Sequence, residues 1–297
     1  MNVDVRGRAA LLGYRAGAEL ARVVPPALGG AAASGLARLA RVSAGERRRQ
    51  VERTLTRVSG GQLRGAALRR AVDAVFANYA RYWHELFRLV DETPAGLRAG
   101  LPLEGTEIID TALARGRGVI LALPHLGNWD YAGAGMAAHG YPMSAVTERL
   151  EPTELFDWFV ETRERVGMRV IPLGPDSAGR VSAHLADGRV VCLLADRDIS
   201  GGGIEVEFFG ERTTVPGGPA LLALRTGAPL VAGAAYFTAG TGHVGRFLAE
   251  IPVAREGRMR DDVTRVTQAL VHQMESAVRA APEQWLLMQP NWPSDHR

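Results

Sequence analysis

Apolar residues recur along this chain at two periods, and the change between them falls near residue 104. Before that point the spacing is helical. Ala9 to Val24 is rich in alanine and leucine and is stopped by Pro25-Pro26. A second helix is expected over Ser34 to Arg41, and Ser43 can cap a third that begins near Ala44. Leu63 to Leu89 predicts a long helix, because Val72, Val75, Phe76, Tyr79, Tyr82, Trp83, Leu86 and Phe87 fall three and four residues apart on one stripe.

Beyond residue 104 short apolar runs alternate with helical spacing. The runs predict strands over Gly118 to Pro124, Met143 to Thr147, Arg169 to Pro172, Arg189 to Ala195, Ile204 to Phe209, Leu230 to Phe237 and Val244 to Ile251. Helices are expected over Asn128 to His139, Pro152 to Val166, Ser177 to Ala186, Gly217 to Arg225 and Asp261 to Ala280. Strands without polar alternation are buried on both faces, so the pattern implies an α/β fold. Its mostly parallel twisted central sheet is flanked by helices, has an antiparallel edge, and follows an N-terminal helical region. No internal repeat and no linker interrupts the chain. Residues 1–297 therefore read as one domain, with a helical, membrane-facing region over 1–90 and the α/β core over 104–297.

Composition narrows the chemistry. Hydrophobic residues make up 46% and charged residues 23%, which supports a sizeable core. The sequence contains no lysine, so all 35 Lys+Arg positions are arginine. Schiff-base catalysis, a lysine-anchored pyridoxal cofactor and a Walker-type phosphate loop are excluded, and any phosphate must be held by arginine forks or backbone N–H groups. The net charge is +3 with arginines interleaved among acids, and no basic and aromatic recognition motif for nucleic acid stands out. Weak attraction to an anionic membrane face fits better. Cys192 sits in the apolar run Val190 to Leu194 and reads as core packing. No segment reads as a signal peptide or a membrane-spanning helix. His84 and Glu85 open an HExxH pattern that Arg88 breaks, which removes the zinc reading.

Open parallel sheets carry their reactive groups beyond the carboxyl ends of strands. One apolar strand stops at Pro124; His125 follows in the turn, Asn128 can cap the next helix, and Asp130 lies in its first turn. His125 and Asp130, five residues apart, can approach each other only through that turn. Taken alone the histidine is either a general base beside a carboxylate or a satisfied turn residue. Asp196-Arg197-Asp198 matches the short DxD pattern of metal-dependent glycosyltransferases, and no GxSxG of a serine hydrolase is present.

Longer motifs carry a resemblance. His-x-x-x-x-Asp after a buried strand resembles glycerolipid acyltransferases, and His125-Leu126-Gly127-Asn128-Trp129-Asp130 is similar to the bacterial lipid A biosynthesis acyltransferase family. Together with Thr147-Glu148-Arg149-Leu150, Phe159-x-x-x-Arg163-Glu164, Ala195-Asp196-Arg197-Asp198, Gly203 to Glu211 and Gln284-Trp285-x-x-x-Gln289-Pro290-x-Trp292, it resembles the actinobacterial phosphatidylinositol mannoside acyltransferases within that family. The motifs cover most of the chain after about residue 70, and the N-terminal region matches in type.

The resemblance implies acyl transfer from acyl-CoA, as co-substrate and with no cofactor or metal, to a hydroxyl of a mannosylated phosphatidylinositol at the cytoplasmic face of the cell membrane. It implies His125 as general base, with Asp196 or Asp130 fixing its tautomer; at position 196 the family pattern leads one to expect the longer glutamate. Backbone N–H groups of the Gly127-Asn128 turn are the oxyanion candidates. Glu148, Arg163 and Asn128 fall at substrate-lining positions, with Arg197, Arg165 and Arg212 as further phosphate contacts. A lipid A-like acceptor, a DxD glycosyltransferase and a lipid-binding scaffold without catalysis are the alternatives.

An enzyme that takes its acceptor from a bilayer without spanning it must dock on the surface. Leu11, Leu12, Leu20, Val23 and Val24 lie beside Arg15 and Arg22, with Arg38, Arg41, Arg47, Arg48 and Arg49 following, a composition suited to the headgroup region. Co-sedimentation with vesicles is expected to strengthen with anionic lipid, weaken with salt, and drop when Arg38 to Arg49 are neutralised. Equal pelleting of the neutralised variant would leave these helices a packing role.

Overall fold

The computed structural model describes residues 45–199 and 201–296. In chain order its elements are α1 (Gly45–Val58), α2 (Gly65–Arg88), α3 (Pro94–Gly100), β1 (Leu103–Glu104), α4 (Thr106–Leu113), β2 (Val119–Leu123), α5 (Trp129–Ala138), β3 (Met143–Thr147), α6 (Thr153–Arg165), β4 (Arg169–Pro172), α7 (Ser177–Ala186), β5 (Val190–Leu194), β6 (Ile204–Phe208), β7 (Glu211–Val215), α8 (Gly218–Thr226), β8 (Leu230–Phe237), β9 (His243–Ile251) and α9 (Met259–Ala280). The helices expected over Ala9–Val24 and Ser34–Arg41 lie outside the described residues. Those from residue 44 onward form close to their expected bounds.

Seven strands build one sheet in the order β1-β9-β8-β2-β5-β3-β4. Every neighbouring pair is parallel except β8–β9. The antiparallel strand is thus one in from the edge, because β1 adds parallel to β9 outside it. β1 has two residues, too short for any period to reveal. Each face has its own core. Ile120 and Ala122 of β2 pack with α7, α8 and α9, whereas Val119, Leu121 and Leu123 pack with α2, α4, α5 and α6. This two-sided burial is why the strand reads as an unbroken apolar run.

The segment Ile204 to Phe209, expected to join the main sheet, instead pairs with β7 in a separate two-stranded hairpin. Its turn has positive φ at Phe209 (53°) and Gly210 (78°), the geometry of a tight two-residue loop. Phenylalanine rarely takes the left-handed region, so the sequence carries no turn signal there. Aromatic packing holds Phe209 in place, with ring centroids 4.7 Å from Phe208 and 5.7 Å from Trp285.

After α9 the chain makes a 3-10 turn at Pro282–Gln284 and continues as a strap to residue 296. Asp295 anchors its end. The carboxylate accepts from the main-chain N–H of Asn291 (2.9 Å) and Trp292 (3.1 Å), from Gln50 of α1 (2.8 Å), and from Arg57 of α1 (3.2 Å). Burial pushes this carboxyl up, but those main-chain donors, Gln50 and Arg57 outweigh it and hold it below the usual carboxylate range.

Asp295→Ala would leave Gln50 and Arg57 without this acceptor and is expected to cost about 2–4 kcal/mol in urea unfolding at neutral pH. Because the folded carboxyl is more acidic than the unfolded one, the contribution is present above the unfolded value of about 4 and fades as pH falls through the folded one. The gap between wild type and variant should therefore narrow on acidification below about pH 4.

Candidate active site

Parallel pairing of β2 with β5 sets Leu123 beside Leu194 at their carboxyl ends, and the Ala195 N–H donates to the Leu123 carbonyl at 3.0 Å. Two residues beyond each partner, His125 and Asp196 meet. His125 Nδ1 lies 2.6 Å from Asp196 Oδ1, and the His125 main-chain N–H donates to Oδ2 at 2.8 Å. Aspartate suffices where glutamate was expected because the two backbones leave adjacent strands in register.

Asp196 is fully buried. Burial pushes its carboxyl up, yet the charge and hydrogen bonds of His125, together with the Trp285 indole N–H at 2.7 Å, hold it below the usual range. An ionised Asp196 requires the histidine proton on Nδ1, which leaves the lone pair on Nε2. Among the described residues nothing bonds Nε2, and the His125 side chain is 23% exposed.

The turn after His125 fits one backbone. Gly127 has φ +62°, and a Cβ there would sit 2.5 Å from the Ala235 carbonyl oxygen of β8. Asn128 caps α5 by accepting from the Tyr131 N–H at 3.0 Å, while its amide donates to Glu85 at 2.8 Å. Glu85 also takes Arg81 (2.6 Å) and His243 (2.9 Å). Burial raises the Glu85 carboxyl, and His243 and Arg81 more than reverse this, so it stays below its ordinary range. Asn128, expected as a substrate contact, is buried with both ends of its amide engaged and instead shapes the turn. The oxyanion expectation also shifts, because the Gly127 N–H donates to the Gln284 carbonyl at 3.0 Å. Among the described residues, the N–H groups of Asn128, Trp129 and Asp130 take no such partner and point from the first turn of α5.

Asp130, the alternative partner for the histidine, turns to other elements. It accepts from Arg163 of α6 at 2.7 and 3.2 Å and from the Tyr82 hydroxyl of α2 at 2.7 Å, with 2% of its surface exposed. Burial and the Asp130 charge push the Tyr82 hydroxyl well up. Burial opposes the charge on Arg163, and Asp130 overcomes it. Tyr82 stacks on Trp129 at 4.3 Å, and Trp129 sets its ring edge-to-face with His125 at 5.0 Å. Asp130 thus reaches the histidine through packing. Arg163, expected to bind substrate phosphate, is largely buried with its fork on a carboxylate.

Glu148 follows β3 directly, and Arg197 follows Asp196; they face each other at 3.5 Å with 42% and 25% of their side chains exposed. That pair sits on the carboxyl rim of the sheet. Arg165 and Arg212 are surface residues paired with Glu161 and Glu205. The carboxylates of the DxD pattern diverge: Asp196 faces His125, and Asp198 accepts the N–H groups of Gly201 (3.0 Å) and Gly203 (2.8 Å). Burial and the Asp130 charge push the Cys192 thiol up to about 12, so it is a packing residue. Sequence reasoning assigned no role to Trp285, Asn291, Glu85 or His243. Trp285 lay inside a quoted motif, but its partner is 89 positions away.

Residues 8–294 match the sequence model of the bacterial lipid A biosynthesis acyltransferases. The chain is 38% identical over 296 residues to the phosphatidylinositol mannoside acyltransferase of Mycolicibacterium smegmatis, covering 99% of this chain and 94% of that protein. It is 37% identical over 230 residues to the protein of that name from Mycobacterium tuberculosis, covering 75% and 70%. A lipid A biosynthesis acyltransferase of Haemophilus influenzae is 26% identical over 225 residues, covering 73% and 68%. The family match extends to residue 8, further toward the N-terminus than the motifs reach.

Removing one partner of a buried ion pair strands the other charge. Arg163→Ala is expected to lower stability by about 3–5 kcal/mol, and Asp130→Asn combined with Arg163→Met should recover part of that loss. Urea unfolding of the two variants measures the difference; a single variant as stable as wild type would remove this pair from the support of the site.

Proposed function

We propose, because this chain belongs to the bacterial lipid A biosynthesis acyltransferase family, that it moves a long-chain fatty acyl group from acyl-CoA to a mannose hydroxyl of a phosphatidylinositol mannoside, with His125 as general base. The chain is an O-acyltransferase for a glycolipid. The observation that carries the general-base assignment is the 2.6 Å contact between His125 Nδ1 and buried, ionised Asp196. Identity to the mannoside enzymes at 38% against 26% to the lipid A enzyme favours the mannosylated acceptor.

The chemistry balances without a further co-reactant. Nε2 of neutral His125 takes the hydroxyl proton as that oxygen bonds to the thioester carbonyl carbon. Negative charge collects on the carbonyl oxygen, where N–H groups in the first turn of α5 and the positive end of the helix can receive it. The carbonyl reforms as the carbon–sulfur bond breaks, and the imidazolium returns its proton to the leaving thiolate. Asp196 stabilises the imidazolium throughout and holds the ring tautomer. Glu148 and Arg197 are assigned to the polar parts of the substrates, on the exposed rim next to Asp196. Arg163 and Asp130 keep Tyr82 and Trp129 against the histidine.

On this reading the enzyme works as a peripheral protein at the cytoplasmic membrane face. No described helix is long and apolar enough to cross a membrane, and Arg47 and Arg49 in the first turns of α1 are exposed. Attraction of such arginines to anionic lipid supports docking.

With palmitoyl-CoA and mixed mannosylated inositol lipids, mass spectrometry should find one added palmitoyl group on a mannoside; acylation confined to lipid A-like acceptors would overturn the acceptor assignment. His125→Ala should lower turnover by roughly 10² to 10⁴ with donor binding retained. A variant that kept more than about a tenth of wild-type turnover would exclude His125 as base. Asp196 is held below the carboxylate range, so it remains charged until pH falls past its lowered value, and the acid limb of kcat/KM should follow deprotonation of the imidazole alone.

A further inference from the structure

We infer that Trp285 is a positioning residue for the His125–Asp196 pair: its indole N–H locks the Asp196 carboxylate in the rotation that gives Oδ1 to the histidine ring. This rests on the acyl-transfer reading for its consequence in catalysis, and on geometry alone for the contact itself.

The two oxygens of Asp196 do different things. Oδ1 faces His125 Nδ1 at 2.6 Å, and Oδ2 takes two donors, the His125 main-chain N–H at 2.8 Å and Trp285 Nε1–H at 2.7 Å. Were the indole donor missing, the main-chain N–H would be the remaining described anchor on Oδ2, from the same residue as the ring. An aspartate side chain turning about its last bond would then lose the in-plane approach of Oδ1 to Nδ1. The indole donor comes from a separate part of the fold and removes that freedom.

Trp285 is itself held through main chain, neighbour and ring. Its main chain pairs antiparallel with Leu126 through two bonds: the Leu286 N–H donates to the His125 carbonyl at 2.8 Å, and the Gln284 carbonyl accepts from the Gly127 N–H at 3.0 Å. The Gln284 side chain ties the strap to β8 through the Phe237 N–H (2.7 Å) and carbonyl (3.1 Å). The buried Trp285 ring lies 5.8 Å from Phe208, 5.7 Å from Phe209 and 6.1 Å from Trp292. A further strap residue, Asn291, donates to the Asp196 carbonyl at 3.1 Å. One segment therefore holds the main chain of the histidine and the carboxylate of its partner in fixed relation.

Trp292 shows what an indole with a purely structural role does in the same cluster. It is equally buried, but its Nε1–H donates to the Phe208 carbonyl at 3.0 Å. The Trp285 donor instead reaches a charged acceptor in the site, where a hydrogen bond is stronger and its removal changes the charge that the histidine feels. Without that donor the carboxylate leaves the rotation that meets Nδ1, and the imidazolium loses its close counter-charge. The His125 titration should then move to lower pH.

Trp285→Phe keeps an aromatic ring and deletes the donor; Trp292→Phe is the packing control. In Trp285→Phe we expect kcat to fall roughly tenfold to a hundredfold with KM for the acyl donor within about twofold. The His125 midpoint, followed by NMR in protein without substrate, and the acid limb of kcat/KM should both fall. In Trp292→Phe the His125 midpoint should stay at the wild-type value. A His125 midpoint unmoved in Trp285→Phe, or moved equally by Trp292→Phe, overturns the inference. Should either variant fail to fold, wild-type protein decides: the Trp285 indole N–H resonance should titrate with the same midpoint as His125, and an indole resonance flat through that range overturns the inference. If wild-type protein shows this coupling but turns over no acyl-CoA, the positioning role stands and the acyl-CoA donor assignment falls.

Discussion

An ionised carboxylate with no exposed surface is the constraint around which this protein is organised. Asp196 lies at the carboxyl edge of the sheet, where burial alone would neutralise it. It remains charged because three donors converge on it from two places: the ring and main chain of His125 after β2, and the indole of Trp285 in the C-terminal strap. Each donor needs its backbone fixed. The parallel register of β2 and β5 fixes the first pair, and the strap's bonds to His125, Gly127 and Phe237 fix the third. In return, the carboxylate specifies the histidine tautomer and leaves Nε2 available.

A second buried carboxylate lies five residues along the chain from His125 and does different work. Asp130 pairs with Arg163, accepts from Tyr82, and contributes to the site through the Tyr82–Trp129 stack against the imidazole. The separation keeps two negative charges from competing for one histidine. It also explains why an arginine on α6 is buried: an unpaired Asp130 in that core would carry the full desolvation cost. The glutamate of the broken HExxH pattern plays a comparable part, since Glu85 joins Arg81, His243 and Asn128 and so fixes the start of α5.

Stability and site geometry are linked through the strap. Helix α1 grips Asp295 through Gln50 and Arg57, and the Arg57 guanidinium lies 4.0 Å above the Trp292 ring. Trp292 packs on Phe208 and Trp285, and Trp285 bonds to Asp196. Contacts at the far end of the chain thus bear on the orientation of the central pair. The left-handed Phe209 belongs to this same cluster, which accounts for a hairpin turn made without asparagine or glycine at its first position.

The sequence by itself determined the α/β alternation, the bounds of most helices and strands, and the turn that carries His125. These follow from local periods, from the break at Pro124 and from the capping residue Asn128, all readable within a few positions. It also excluded lysine-dependent chemistry and carried motifs long enough to place the chain in its family. Partnerships across the chain were decided by tertiary structure. Spacing offered Asp130 as the histidine's partner and the family resemblance offered Asp196; the register of β2 against β5 selected Asp196 while α2 and α6 claimed Asp130. The burial of Arg163, the hairpin outside the main sheet and the engagement of the Gly127 N–H by Gln284 were likewise invisible to local patterns. Each depends on groups brought together from distant positions, where hydrogen-bond direction and burial settle the outcome and no sequence period records it.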